Sequence, residues 1–422
     1  MLKYTRASDP EVYAIVREEF ERQKRNIEMI ASESIVPAEI LELNGSVFTN
    51  KTLEGYPGAR FHAGGDVADK LEILANERTC ALFRAEHANH QVYSGSTANY
   101  GVYSAILSPG DTILSMRLDQ GGHLTHGSSA NFLSKVYHVE SYGIAHDTEL
   151  IDYDFLEAKA REISPKLIIA GASSYSRIID YERISKIAQE VEAYFLVDMA
   201  HITGLVASGL LPSPVPFADF VTSSTTKTTC GPRSGFILCK KQFAKQLDKG
   251  VFPGVIGSVH LNTLASKCWI MKYMASEPFK KLMRRVLDNS KILAEEMTKY
   301  GFRVVSGGTD NHLIVVDLRP RNITGKMFQN ALNKAGITVN KNQIPFDPAS
   351  PFITSGARLG TTSISQRGLK ESEVREIVAI IDQVTSAPED EQNLAECRNK
   401  GEKLMADFPL YPKEILEEFF EM

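Results

Sequence analysis

Apolar residues recur along this chain in two rhythms. Val12, Ile15, Val16 and Phe20 fall on one face of a helix. Ser8, Asp9 and Pro10 just before them supply a cap and a first-turn proline, so a helix is predicted to open there. A glycine-rich loop follows from Glu54 to Gly65, EGYPGARFHAGG, and Val67, Leu71, Leu74 and Leu82 then restore the helical spacing. Beyond them the rhythm changes. Short apolar runs, DTILSM, KLIIAG, YFLVDMA, DFVTSS and SGFILC, alternate with helical stretches. Runs of that length between helices predict a mostly parallel sheet in an α/β domain. From Trp269 to Tyr300 the pattern reads as one long helical tract. GFRVVSGGTDNHLIVVDL then predicts two strands and a loop in a smaller α+β domain, and the acidic EILEEFFEM predicts a terminal helix. The expected organisation is a helical arm over 1–45, a large domain over 46–275 and a small C-terminal domain over 276–422.

Composition narrows the function classes. A formal charge of −5 over 422 residues gives no general attraction to nucleic acid or anionic lipid, so neither is expected as a partner. No apolar run reaches membrane-spanning length. The start, MLKYTRASDPEV, has no apolar segment after its basic residues, and no secretory signal is expected. The five cysteines, Cys80, Cys230, Cys239, Cys268 and Cys397, are scattered and odd in number with no CxxC pair. They read as reduced thiols in a cytoplasmic protein, with no metal site.

Several short stretches offer chemistry. In DFVTSSTTKTTCGPRSG a single amine, Lys227, follows a strand and precedes a Gly-Pro turn, where α/β sheets commonly bind ligands. A lysine held there with few water neighbours becomes a nucleophile; on local sequence alone an ordinary loop lysine is the commoner case. FLVDMAH sets Asp198 at the end of an apolar strand with His201 three residues on, suiting either a charge partner or a structural salt bridge. YSGSTAN places Ser94, Gly95, Ser96 and Thr97 at a helix start, which suits a phosphate and equally an N-cap. LDQGGHLTHG offers His123 as a ring that could stack on a flat ligand. TSGARLG sets Arg358 in a Gly-bounded loop, as a fork for a carboxylate or as an ordinary surface arginine. Together these are the parts of a pyridoxal-phosphate enzyme acting on an amino acid.

With these stretches joined to FTNKTLEGYPG, AEHANHQVYSGSTAN, PKLIIAGASSYSR, VDMAHITGLVASG and PSPVPFAD, nearly the whole chain resembles the serine hydroxymethyltransferase family. The resemblance implies an aspartate aminotransferase-like, fold-type I architecture and a homodimer or tetramer with active sites shared between subunits. It implies that Lys227 carries pyridoxal 5'-phosphate, that Asp198 pairs with the ring nitrogen, and that His123 stacks on the ring. Ser94, Gly95, Ser96 and Gly257 match phosphate contacts, and Ser173 and His201 match groups near the ring hydroxyl. Ser32 and Arg358 match binders of the substrate carboxylate. Glu54 matches the carboxyl that manages the proton of the substrate hydroxyl, with Tyr56 and His62 on the substrate side. Leu118, Gly122, Leu124 and Asn342 match the border of a folate pocket, and Arg233 the arginine after the Gly-Pro turn.

The chain also departs from the family pattern. Thr226 stands where a histidine precedes the lysine, and Thr229, Cys230 and Ser234 interrupt the Thr-Leu-Arg-Gly-Pro-Arg-Gly-Gly run that follows. Thr52 replaces a tyrosine, Phe61-His62 a Tyr-Tyr pair, and Ile256-Gly257-Ser258-Val259 a Gln-Gly-Gly-Pro stretch. Thr362 replaces the proline of Gly-Thr-Pro. These changes surround substrate and phosphate, which points to a specialised relative. Three functions follow: hydroxymethyl transfer from serine or an α-methyl analogue to tetrahydrofolate, a folate-independent threonine-type aldolase or transaldolase, and a non-catalytic binding subunit. Lys227, Asp198 and Arg358 argue against the last.

Overall fold

A computed structural model describes residues 2–420, which divide into two compact units. The larger comprises Glu39–Arg284 with Thr309–Asn311; the other comprises Met1–Ala38, Arg285–Gly308 and His312–Met422.

The larger unit is built on seven strands. In chain order they are β1 (His87–Asn89), β2 (Thr112–Met116), β3 (His138–Tyr142), β4 (Leu167–Ala170), β5 (Tyr194–Asp198), β6 (Phe220–Ser224) and β7 (Gly235–Cys239). Their order across the sheet is β1-β7-β6-β5-β4-β2-β3. Neighbours from β3 to β6 run parallel, and β7 lies antiparallel to both β6 and β1. The predicted sheet is therefore present. Strands β4, β6 and β7 are buried along their whole length, which is why they read as unbroken apolar or small-residue runs. The two strands that the sequence left out, β1 and β3, sit at the sheet's edges and carry polar residues.

Two helical expectations need correction. The helix over Asp66–Phe83 forms, but its buried face is Ala68, Glu72, Ala75, Thr79 and Phe83, while Val67 and Leu74 are exposed. The apolar stripe misled because Glu72 is buried as an ion pair: its carboxylate meets Arg60 at 2.5 Å and accepts from Gln91 at 2.8 Å. The tract from Trp269 to Tyr300 is two helices, Leu261–Met274 and Glu277–Lys299. Ser276 divides them: its hydroxyl accepts from Phe279 N at 3.4 Å, the contact of an N-cap, with Pro278 in the first turn.

The other unit carries an antiparallel sheet of β8 (Arg303–Val304), β9 (Leu313–Asp317), β10 (Asn340–Asn342) and β11 (Gly356–Gly360), in the order β8-β9-β11-β10. Helices Gly325–Lys334, Glu371–Ser386 and Glu391–Ala406 contribute to its core with Ile314, Val316, Phe328, Ile377 and Ile381. The N-terminal stretch expected as a separate arm divides. Ile27 and Met29 enter this core, and Ile27–Glu28 pairs in parallel with Ile337–Thr338. The opening helix, Pro10–Arg25, is capped by Asp9, whose carboxylate accepts from Val12 N at 3.0 Å. Of its apolar face only Phe20 is buried; Ile15 is 66% exposed. At the other end Lys413–Phe420 is helical, and the last two residues of the expected terminal helix lie outside the described residues. The five cysteines are free, and among the described residues no helix is long and apolar enough to cross a membrane.

Candidate active site

Strand β6 delivers Lys227 two residues beyond Thr225, at the start of a 3-10 turn, Lys227–Thr229. The hydroxyls around it serve the loop itself. Thr225 Oγ1 donates to Pro232 O at 2.6 Å, Thr229 Oγ1 to Thr226 O at 2.6 Å and Thr228 Oγ1 to His201 O at 3.0 Å. Thr226 Oγ1 lies 2.7 Å from Ser224 Oγ. This lattice over-determines the backbone, which lets Lys227 hold the left-handed conformation, with φ +61°. The amine thus springs from a rigid, half-buried loop at a strand end.

On the neighbouring strand, β5, Asp198 is held by three donors. Asn99 Nδ2 donates to its Oδ2 at 2.9 Å, His126 Nε2 lies 3.1 Å from the same oxygen, and Ala200 N donates to Oδ1 at 3.0 Å. Burial alone would raise this carboxyl. The His126 hydrogen bond, the charges of His126 and His123, and Asn99 outweigh burial and hold it well below the ordinary 3.8. Asn99 is itself fixed, donating to Thr125 Oγ1 at 2.8 Å and accepting from Thr222 Oγ1 at 2.6 Å. Asn99, Thr125, His126 and Thr222 were not singled out from the sequence. The one available signal was the second histidine of GGHLTHG; the others are ordinary polar residues until the fold brings them to one carboxylate.

His123 sits beside this group, its Nδ1 2.8 Å from Thr125 Oγ1 and its ring 5.5 Å from that of His126. Among the described residues His123, His126 and Asp198 form a cluster with ligand atoms close enough for a metal ion, within 4.8 Å. Hydrogen bonds already engage those atoms: His126 Nδ1 accepts from His123 N at 3.4 Å, and Nε2 faces Asp198. The chemistry is that of an oriented, ionised carboxylate. Gly122, between β2 and His123, is required: a Cβ there would lie 2.3 Å from Met116 O. Leu118 and Leu124 flank the same loop, both exposed. Ser173 N donates to Gly121 O at 2.7 Å, tying the end of β4 to this loop, and His201 is buried.

The helix Gly95–Ile106 begins next to β6; a Cβ on Gly95 would lie 3.6 Å from Ser224 Cβ. Ser94 is its N-cap, accepting from Thr97 N at 3.1 Å while Thr97 Oγ1 accepts from Ser94 N at 2.7 Å. In the cap the Ser94 oxygen accepts, so an anion here would be held by the amides of the first turn, by Ser96 and by the Ser94 O–H.

A second group in this unit centres on Glu54. Its Oε1 lies 3.6 Å from where a Cβ of Gly257 would stand. The Gly55–Tyr56 and Ala59–Arg60 hairpin after it is clamped by Arg60, paired with Asp69 at 2.8 Å and with Glu72. Tyr56 is turned inward: its hydroxyl donates to Asp248 O at 2.7 Å and accepts from Asn89 at 2.9 Å, so its polar end is engaged within the chain. Thr52, Phe61 and His62 are exposed.

Ser32, Asn342 and Arg358 belong to the other unit. Arg358 lies on strand β11 and not in the expected loop, because its glycines pair into the sheet; its Nε donates to Asn340 Oδ1 at 3.1 Å, and burial pushes its guanidinium down to about 10. The backbone leading to Ser32 docks on the end of that strand: Gly360 N donates to Met29 O at 2.8 Å, and a Cβ on Gly360 would lie 2.4 Å from Ala31 Cα. Asn342 pairs with Gly356 on the neighbouring strand.

These residues fit pyridoxal phosphate. Asp198, an ionised carboxylate at the strand end, suits a ring N–H as its partner. A helix N-terminus beside the lysine strand suits a phosphate. Compared with known protein families, residues 5–381 match the family described as Serine hydroxymethyltransferase.

Proposed function

Because this chain belongs to the serine hydroxymethyltransferase family, we propose that it makes and breaks the Cα–Cβ bond of a small β-hydroxy amino acid, transferring the hydroxymethyl group of serine or α-methylserine to tetrahydrofolate. The observation that carries this reading is the ionised Asp198, fixed by Asn99, His126 and Ala200 one strand from the lysine loop. Bound pyridoxal phosphate supplies an aldehyde for the amino group and a ring that withdraws electrons from Cα. Lys227 holds that aldehyde, and Asp198 keeps the proton on the ring nitrogen. His123 orients the ring. Ser94, Gly95 and Ser96 would hold the phosphate, with Gly257 a further contact, and Ser173 and His201 would serve the ring hydroxyl. Arg358 and Ser32 bind the substrate carboxylate. Glu54 takes the proton from the substrate β-hydroxyl, which directs cleavage to Cα–Cβ. The exposed Leu118 and Leu124 are apolar faces for a flat folate ring, with Gly122 and Asn342 at the border. We propose a homodimer with shared sites, supported by the exposed apolar face of the Pro10–Arg25 helix.

A second reading, a threonine-type aldolase or transaldolase, is favoured by the exposed Thr52, Phe61 and His62 near Glu54. A panel of L-serine, α-methyl-L-serine and L-threonine, run with and without tetrahydrofolate, separates the two through glycine (or alanine) and aldehyde release. Transfer that requires folate supports the first. Threonine cleavage that is indifferent to folate supports the second, and no cleavage of any of them overturns both.

A further inference from the structure

We propose that Ser258 and Tyr93 are positioning residues that fix the backbone carrying the Glu54 carboxylate; this rests on the role of Glu54 argued above. The connection is a continuous set of hydrogen bonds. Leu53 N, one residue before Glu54, donates to Ser258 Oγ at 2.9 Å, and Val259 N donates back to Leu53 O at 3.3 Å. Ser258 O accepts the Tyr93 hydroxyl at 2.5 Å. Tyr93 immediately precedes the N-cap Ser94, and Thr97 Oγ1 accepts from both their amides, at 2.9 and 2.7 Å. The Tyr93 ring is held from its face by His260, with centroids 4.3 Å apart and planes 11° from parallel.

Leu53 is fully buried with Val259 and Leu261, so the backbone that carries Glu54 has little freedom once these bonds form. Glu54 is close enough to Tyr93 for its negative charge to join burial in raising the phenol pKa. Tyr93 therefore stays a hydroxyl donor. The bond from Leu53 N to the Ser258 hydroxyl is a fixing point that a residue without a side-chain oxygen cannot supply.

The test uses the holoenzyme and two reactions: cleavage of L-serine or L-threonine, and exchange of the glycine α-proton with solvent deuterium followed by NMR. Glycine has no β-hydroxyl, so its exchange does not call on Glu54. Ser258→Ala is expected to lower kcat for cleavage about tenfold, the scale of a lost positioning contact, with KM and glycine exchange within about twofold. Ser258→Thr, which keeps the oxygen, restores cleavage. Tyr93→Phe, which removes one hydrogen bond and keeps the ring, shows the same split if Ser258→Ala does not fold. In a Glu54→Gln background Ser258→Ala has little further effect. Equal losses in cleavage and exchange, or a full Ser258→Ala loss on top of Glu54→Gln, would overturn the inference, as would unchanged cleavage in Ser258→Ala where Glu54→Gln is inactive. If Glu54→Gln itself cleaves normally, the role of Glu54 fails first, and the inference with it.

Discussion

Asp198 shows how a nearly buried carboxylate stays ionised. Its side chain is 9% exposed, yet hydrogen bonds from Asn99, His126 and Ala200 and the nearby His123 hold it as a carboxylate. Asp198→Asn keeps the shape and removes the charge, and is expected to lower kcat by about 10²–10³-fold, the scale of losing a central electrostatic group. Near-normal turnover in that variant would show that the ring nitrogen needs no anion. The pH dependence has a definite sign. The folded-state value lies below the ordinary 3.8, so the stabilisation from this carboxylate is complete above that value and is lost as pH falls below it toward the depressed one. Acid titration of stability should therefore be shallower below about pH 4 in Asp198→Asn than in the parent protein. At this scale the sequence singled out Lys227, Asp198 and His123, because each stands out by type and place in its motif. It did not reveal Asn99 or His126, whose importance comes from a neighbour distant in the chain. Nor could it say that the Ser94 hydroxyl caps its own helix, since capping and phosphate binding use the same residue types.

Elements were legible where burial is simple. The strands that are covered on both faces were found as apolar runs, while the polar edge strands were not. The helix Asp66–Phe83 was found but rotated, because the rule that buried faces are apolar fails when a buried charge is paired. That correction is testable. Glu72→Ala would leave the Arg60 guanidinium, only 6% exposed, paired with Asp69 alone, and should destabilise the protein by about 3 kcal/mol. Leu74→Ala, on the exposed side, should cost within about 0.5 kcal/mol. Denaturant unfolding of both variants decides the matter; the reverse ranking would restore the face read from the sequence. The division of the Trp269–Tyr300 tract at Ser276 has the same lesson in smaller form. Helical periodicity continued across the break, and only the cap and Pro278 marked it.

For the whole molecule, residues 5–381 match the serine hydroxymethyltransferase family, and the larger unit is α/β with a mostly parallel sheet. The overall α/β class follows from patterns spread over many residues, which is why it could be read early; of the four strands in the second unit's sheet only Arg303–Val304 and Leu313–Asp317 were read, the other two being short or glycine-bounded. The fate of the N-terminal stretch could not be read, because Ile27 and Met29 join a core assembled mainly from residues beyond 290. The account as a whole turns on one amine. Purified protein given pyridoxal phosphate should be yellow, and borohydride reduction followed by peptide mapping should find the cofactor fixed to the peptide containing Lys227, with none fixed in Lys227→Ala. Cofactor fixed to a different lysine, or none fixed to the parent protein, would contradict the account.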